Sequence, residues 1–318
     1  MNPVLLVAVP IAAALAQPQP QPVPTPPPSP AAQHELQQNP AEQLDFVSEG
    51  LRMTVPVTIG PAGPYRFIVD TGAERTVIAR ELAAKLGLVP GKSVHVTAMA
   101  GSAQFGTVVI PDLQIGSPGV GARLSTRGIE APALVARNLG AAGLVGIDTL
   151  QGHAVTIDFA AQTMTVIPST KRLRKERFGP DDIVIRAKNL LGQLVVTDAS
   201  YRGRTVRVVI DTGADTSMGN LALRRLAAPS SSAVTAVSVL SVTGASLQAE
   251  QALLDRVHFG DISFANLQVA FVDAAPFARL GLHDRPALLL GMDALRLFGR
   301  VRIDFANREL RLAQPKAP

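Results

Sequence analysis

One short apolar run ending in the same tripeptide occurs twice in this chain. The first copy is Phe67-Ile68-Val69-Asp70-Thr71-Gly72-Ala73, and the second is Val208-Val209-Ile210-Asp211-Thr212-Gly213-Ala214. A single Asp-Thr-Gly is ordinary turn chemistry, because Asp and Gly both favour tight turns. Two copies, each closing an apolar strand, require an explanation that includes both.

The surroundings repeat as well. Leu144-Val145-Gly146-Ile147-Asp148-Thr149-Leu150 is echoed by Leu289-Leu290-Gly291-Met292-Asp293-Ala294-Leu295. Leu113-Gln114-Ile115-Gly116 is echoed by Val257-His258-Phe259-Gly260, and Val155 to Phe159 by Val301 to Phe305. The repeat unit is therefore about 130 residues long. Within each copy the strands are short, the turns regular and the helices few. Leu82 and Leu86 lie four apart ahead of Gly87, a helix with a glycine stop, and Leu221 to Leu226 is its counterpart. Alternating segments on either side of Gly101 and of Gly244 predict two hairpins with a glycine at the tip. The expected fold class is all-β, with two homologous lobes related by a pseudo-twofold axis and one or two short helices in each.

The ends and the middle of the chain read differently. Residues 1–16 are apolar and uncharged and finish in Ala14-Leu15-Ala16, a small-x-small cleavage pattern, so they are read as a secretory signal peptide. The run is short for a membrane span. The expected location is the periplasm or outside the cell, with no integral span once the signal is removed; an uncleaved N-terminal anchor is the alternative. Residues 17–45 are rich in Pro and Gln and read as an extended spacer. The lobes are expected at 46–168 and 183–314. They are joined across 169–182 by a linker that carries the basic run Lys171-Arg172-Leu173-Arg174-Lys175-Glu176-Arg177.

Composition removes several kinds of chemistry. The 318 residues include no Cys, which excludes thiolate catalysis, disulfides and Cys-ligated zinc. Five histidines show no ligand spacing, so no metal and no cofactor is expected. The formal charge of +5 is scattered, and aromatics make up only 4%, which is unlike a nucleic-acid stacking surface.

A pseudo-twofold axis brings the same loop of each lobe together, which sets Asp70 beside Asp211. Two adjacent carboxylates cannot both ionise freely and hold one proton between them. One is then an acid and the other a base beside the same water, which suits attack of water on an amide carbonyl without a covalent intermediate. Gly72 and Gly213 leave room for backbone N–H groups near the carboxylates. Thr71 and Thr212 can hydrogen-bond across the axis and fix the loops.

At these residues the chain resembles the retropepsin-like aspartic proteases, and in particular bacterial exported proteins with two such lobes fused. The likeness covers about residues 50 to 168 and 183 to 313. It implies an acid-protease fold and an aspartic-type endopeptidase. In that reading Asp70 and Asp211 form the catalytic dyad, and an extended peptide or protein substrate lies in a cleft between the lobes of a monomer. The hairpins at Gly101 and Gly244 become flaps that pair with substrate as an added strand, and Glu74 and Asp215 match an acidic position that contacts substrate backbone. The chain departs from the family pattern in three ways. Ala73 and Ala214 stand where pepsin-like enzymes have Ser or Thr, which predicts activity at less acidic pH. Ile147 and Met292 stand where retroviral enzymes have Arg, which leaves Asp148 and Asp293 as structural residues. Neither hairpin tip has a Tyr. Two other readings compete: a non-catalytic peptide-binding or scaffold protein on the same fold, and a homodimer with lobes arranged crosswise.

Overall fold

The computed structural model describes residues 42–45, 47–49, 51–116, 124–169, 182–227, 234–260 and 262–314. The expected signal peptide, most of the expected spacer and the basic run 171–177 lie outside the described residues.

Each lobe is organised around its Asp-bearing strand. Phe67, Ile68 and Val69 are all buried, as are Val208, Val209 and Ile210. An apolar run without alternation is what a strand covered on both faces requires. In the first lobe Arg52–Ile59 and Ala62–Val69 pair antiparallel, with Thr54 opposite Ile68. Gly143–Val145 then runs parallel to the Asp strand, with Val69 opposite Val145. Val77–Ala79 pairs antiparallel with Gly143–Val145 and parallel with Leu124–Leu134. In the second lobe Gln193–Tyr201, Arg204–Ile210, Ala287–Leu290, Met218–Gly219 and Ile262–Phe271 repeat this order. Parallel neighbours must be joined by long crossovers, so the two Asp strands end up deep in their sheets.

The hairpins lie where the repeat predicts. Val89–Ala98 pairs with Gly101–Ile115, and Thr235–Leu240 pairs with Ser246–Phe259. Their return strands curl back to close each sheet, placing Val57 opposite Ile115 and Ala199 opposite Phe259. The echo between Leu113–Gly116 and Val257–Gly260 is therefore the seam that closes each lobe. Three short helices occur in each lobe among the described residues, against the one or two expected. They are Arg80–Lys85, Ala136–Leu139 and Ile147–Leu150, then Leu221–Ala227, Ala275–Arg279 and Met292–Leu295. None is long and apolar enough to cross a membrane.

A six-stranded sheet joins the lobes. His153–Asp158 pairs antiparallel with Arg300–Asp304, setting Ala154 opposite Asp304 and Asp158 opposite Arg300. Thr163–Pro168 and Glu309–Ala313 flank this pair. Glu42–Asp45 forms one outer edge, while Asp182–Leu190 borders the other side and carries the sheet on into the second lobe by pairing with Gln193–Tyr201. Glu42–Asp45 corrects the spacer boundary, since composition assigned residues up to 45 to an extended linker. An edge strand is held by main-chain bonds, so its side chains need carry little strand signal.

The main apolar cluster runs through both lobes and includes Met53, Phe67, Ile110, Tyr201, Phe259 and Phe271. Ring contacts concentrate in the second lobe, where Phe264 meets Phe259 at 6.1 Å and Phe298 at 5.8 Å, both edge to face. The second lobe also contains a separate cluster that includes Val195, Val209, Ala214, Phe277, Leu282 and Leu289.

Candidate active site

Each Asp is fixed first through its backbone. Asp70 N–H donates to Val145 O and Asp211 N–H to Leu290 O, both at 3.0 Å, extending the parallel pairing to the end of the strand. The chain then turns so that its own amides face the carboxylate. Gly72 N–H and Ala73 N–H donate to Asp70 Oδ1 at 2.8 and 2.9 Å, and Gly213 N–H donates to Asp211 Oδ1 at 3.0 Å.

The two loops lock together across the pseudo-twofold axis. Thr71 N–H donates to Thr212 Oγ1, and Thr212 N–H donates to Thr71 Oγ1, each at 3.1 Å. The hydroxyls pass beyond each other: Thr71 Oγ1 donates to Ile210 O at 2.9 Å and Thr212 Oγ1 to Val69 O at 2.7 Å. Both threonines are buried, so each bond forms away from competing water. The expected inward bonding of the two threonines is thus present in full.

This lock sets each carboxylate against the glycine of the other lobe's loop. A Cβ on Gly72 would lie 2.7 Å from Asp211 Cγ, and one on Gly213 would overlap the Asp70 carboxylate. No side chain fits at either position, so the glycines are required by the neighbouring lobe's Asp. Asp211 is only 5% exposed, whereas Asp70 keeps part of its surface open. Burial pushes Asp211 up to about 7, and the charge of Asp70 adds to the effect. Burial also raises Asp70, against the opposing pull of the Gly72 and Ala73 amides. Both shifts favour retention of a proton by the pair.

Asp148 and Asp293 are in the layer behind. Asp148 Oδ1 accepts from Thr76 N–H and Thr76 Oγ1 at 2.8 and 2.7 Å, while Asp293 takes the same bonds from Ser217 at 2.9 and 2.7 Å. Thr76 Oγ1 and Ser217 Oγ in turn accept from Gly146 and Gly291 N–H, each at 3.1 Å. These bonds tie the strand after each Asp loop to the Gly-x-Asp turn. Ile147 and Met292, which precede these two aspartates, are buried.

Glu74 and Asp215, the acidic pair carried over from the family pattern, both face arginines of the opposite lobe. Asp215 Oδ1 accepts from Leu51 and Arg52 N–H at 2.8 and 3.1 Å, and Arg52 Nε lies 3.2 Å from Oδ2. Glu74 is gripped by two nitrogens of Arg279, one of them at 2.7 Å. The sequence reading missed three residues here: Arg52, Arg279 and Gln193. Strand register makes Arg52 and Gln193 equivalent, since each lies two residues before the partner of the residue two ahead of its lobe's Asp. Gln193 donates its side-chain amide to Gly72 O, so an uncharged residue replaces the second arginine.

Gly101 and Gly244 sit at the hairpin tips with positive φ, 113° and 93°. They are not equivalent in their contacts. A Cβ on Gly101 would meet nothing, whereas one on Gly244 would lie 2.7 Å from Asn138 Nδ2 of the other lobe. Among the described residues, no three His, Asp or Glu side chains gather where a metal could be held.

Comparison with known families gives one match. The sequence model described as aspartyl protease fits residues 55–149 and again 197–294, which together make up more than half of the chain. Each match opens in the first strand of a lobe and covers its Asp loop, hairpin and Gly-x-Asp turn. No curated protein matches the chain.

Proposed function

The chain belongs to the aspartyl protease family, and we propose that it is an endopeptidase in which Asp70 and Asp211 activate one water for attack on a peptide carbonyl. The observation that carries this reading is the reciprocal Thr71–Thr212 lock, which holds two carboxylates against each other's glycines. A groove that only binds peptide has no need of a shared proton, and two buried acids destabilise the fold.

The environments support a division of roles. Asp70 is the more open carboxylate and is the general base; Asp211, raised to about 7, is the acid. Water loses a proton to Asp70 as its oxygen bonds to the carbonyl carbon, and Asp211 gives its proton to the carbonyl oxygen. A neutral gem-diol results. Asp70 then passes its proton to the amide nitrogen, a diol hydroxyl returns one to Asp211, and the C–N bond breaks to leave a carboxylic acid and an amine. The dyad ends in its starting state.

The substrate is an extended segment of peptide or protein, roofed by the hairpins at Gly101 and Gly244. Both carboxylates come from one chain whose lobes each contribute strands to a shared sheet, which favours a monomer as the active form. The two-lobe division and export by the N-terminal segment belong to the same reading. The test is Asp70→Asn and Asp211→Asn, assayed on a denatured protein substrate. Each should lose at least about a hundredfold in rate with folding intact, the lower end of the contribution of general acid–base groups. Cleavage unchanged in either variant, or absent from the parent, contradicts the proposal.

A further inference from the structure

The N-terminal hairpin delivers a side chain to the other lobe. Met99 lies in the two-residue turn between Ala98 and Gly101, at the tip. It packs against the separate apolar cluster of the C-terminal lobe. Its carbonyl accepts a hydrogen bond from Ala275 N–H at 3.1 Å, so the tip is anchored at both main chain and side chain.

That cluster occupies a particular place. Val209 lies two residues before Asp211, in the strand that ends at Ile210, and Ala214 follows in the Asp loop. Val237, Val239 and Leu247 of the C-terminal hairpin pack against the same cluster. Phe277, Leu280 and Leu282 close its side. These three come from residues 272–286, the link between Ile262–Phe271 and Ala287–Leu290. The corresponding link in the first lobe spans only 135–142. The longer link also carries Arg279, which grips Glu74 beside the first Asp loop. It thus touches both the roof and the floor of the cleft, from the side of Asp211.

Resting on the protease reading above, we propose that this cluster is the C-terminal lobe's substrate subsite, that it takes an unbranched or leucine-sized apolar side chain, and that Met99 occupies it until substrate displaces it. A methionine is suited to this double use, because its flexible thioether fills irregular apolar space and leaves it at little cost. The arrangement at Met99 has the form of a bound residue: a side chain in an apolar pocket and a carbonyl held by an amide. The opposing tip differs: it presents Gly244 to Asn138 and sets Val242, not a methionine, against the main apolar cluster.

Binding of a decapeptide with a reduced, uncleavable Leu–Leu bond, measured by calorimetry, tests this. Met99→Ala should bind it roughly fivefold more tightly than the parent, because no side chain has to leave first. The gain should vanish for the same peptide with Asp–Asp at those positions. In the parent, the 13C-labelled methyl signal of Met99 should move to its solvent-exposed position when the Leu–Leu peptide saturates the protein. Equal or weaker binding by Met99→Ala, an equal gain for Asp–Asp, a methyl signal that does not move, or no binding by either protein overturns the subsite. If the expected binding is seen but the unreduced peptide is never cleaved, the subsite stands and the protease reading falls.

Discussion

The two lobes are copies at the floor of the cleft and different molecules at its walls. At the floor the main bonds have counterparts: Thr71 with Thr212, Thr76–Asp148 with Ser217–Asp293, Val145 O with Leu290 O. At the walls the first lobe supplies Arg52 where the second has Gln193, and the second supplies a longer link with Arg279 and Phe277 where the first has a short turn. In the proposed endopeptidase, two acids that share a proton need matched geometry, and a cleft for an asymmetric peptide does not. Duplication fixed the first, and divergence was free to act on the second.

The strongest test of the matched floor is the titration of the pair. Asp211 is raised to about 7, so the folded protein holds a proton there that the unfolded chain has released. Its contribution therefore favours folding least at high pH: stability falls as pH rises from the ordinary carboxylate range through about 7. In Asp211→Asn, denaturant unfolding should lose that slope, a difference of a few kcal/mol between pH 4 and 8. In Asp70→Asn, the like charge is gone, so Asp211 should titrate lower, as 13C NMR of the carboxyl would show. Hydrolysis by the parent should decline above about pH 7, when the shared proton is lost; a rate that continued to climb to pH 9 would break the assignment.

Smaller effects should separate floor from wall. Thr76→Val and Ser217→Ala each strip hydroxyl bonds from a Gly-x-Asp turn. Each should cost about 1–3 kcal/mol in urea unfolding, and by similar amounts if the floor is symmetric. The arginines should differ. Arg52 has a side chain only 20% exposed and also reaches Leu139 O at 3.2 Å. Arg279 and Glu74 are 47% and 33% exposed, so solvent screens their attraction. Arg52→Ala should therefore destabilise by about 1–2 kcal/mol and Arg279→Ala by less than about 1 kcal/mol. A larger loss for Arg279→Ala would mean that the long link holds the lobes together as well as lining the cleft.

The floor was legible in the sequence because it is written locally. An apolar run ending in Asp-Thr-Gly, and another ending in Gly-x-Asp, state strand, turn and carboxylate within seven residues. The repeat then supplied the axis. The walls were not legible, because their meaning lies in long-range meetings. Arg279 gains its role from Glu74, 205 residues away in the chain, and Gln193 from a carbonyl 121 residues away. No local pattern marks an arginine that will cross to another lobe. Gln193 can be aligned with Arg52 only once strand register is known. The apolar link 272–286 gave an ordinary core signal, and its place beside Asp211 comes from the sheet that carries it.

The sheet between the lobes has a consequence for how the protein is made. His153–Asp158 waits for Arg300–Asp304, and Asp211 is anchored to the carbonyl of Leu290. A ribosome that has released the whole first lobe has released one carboxylate with nothing opposite it. The pair assembles only after Ala287–Leu290 has emerged, so a chain still in synthesis carries one carboxylate without its partner.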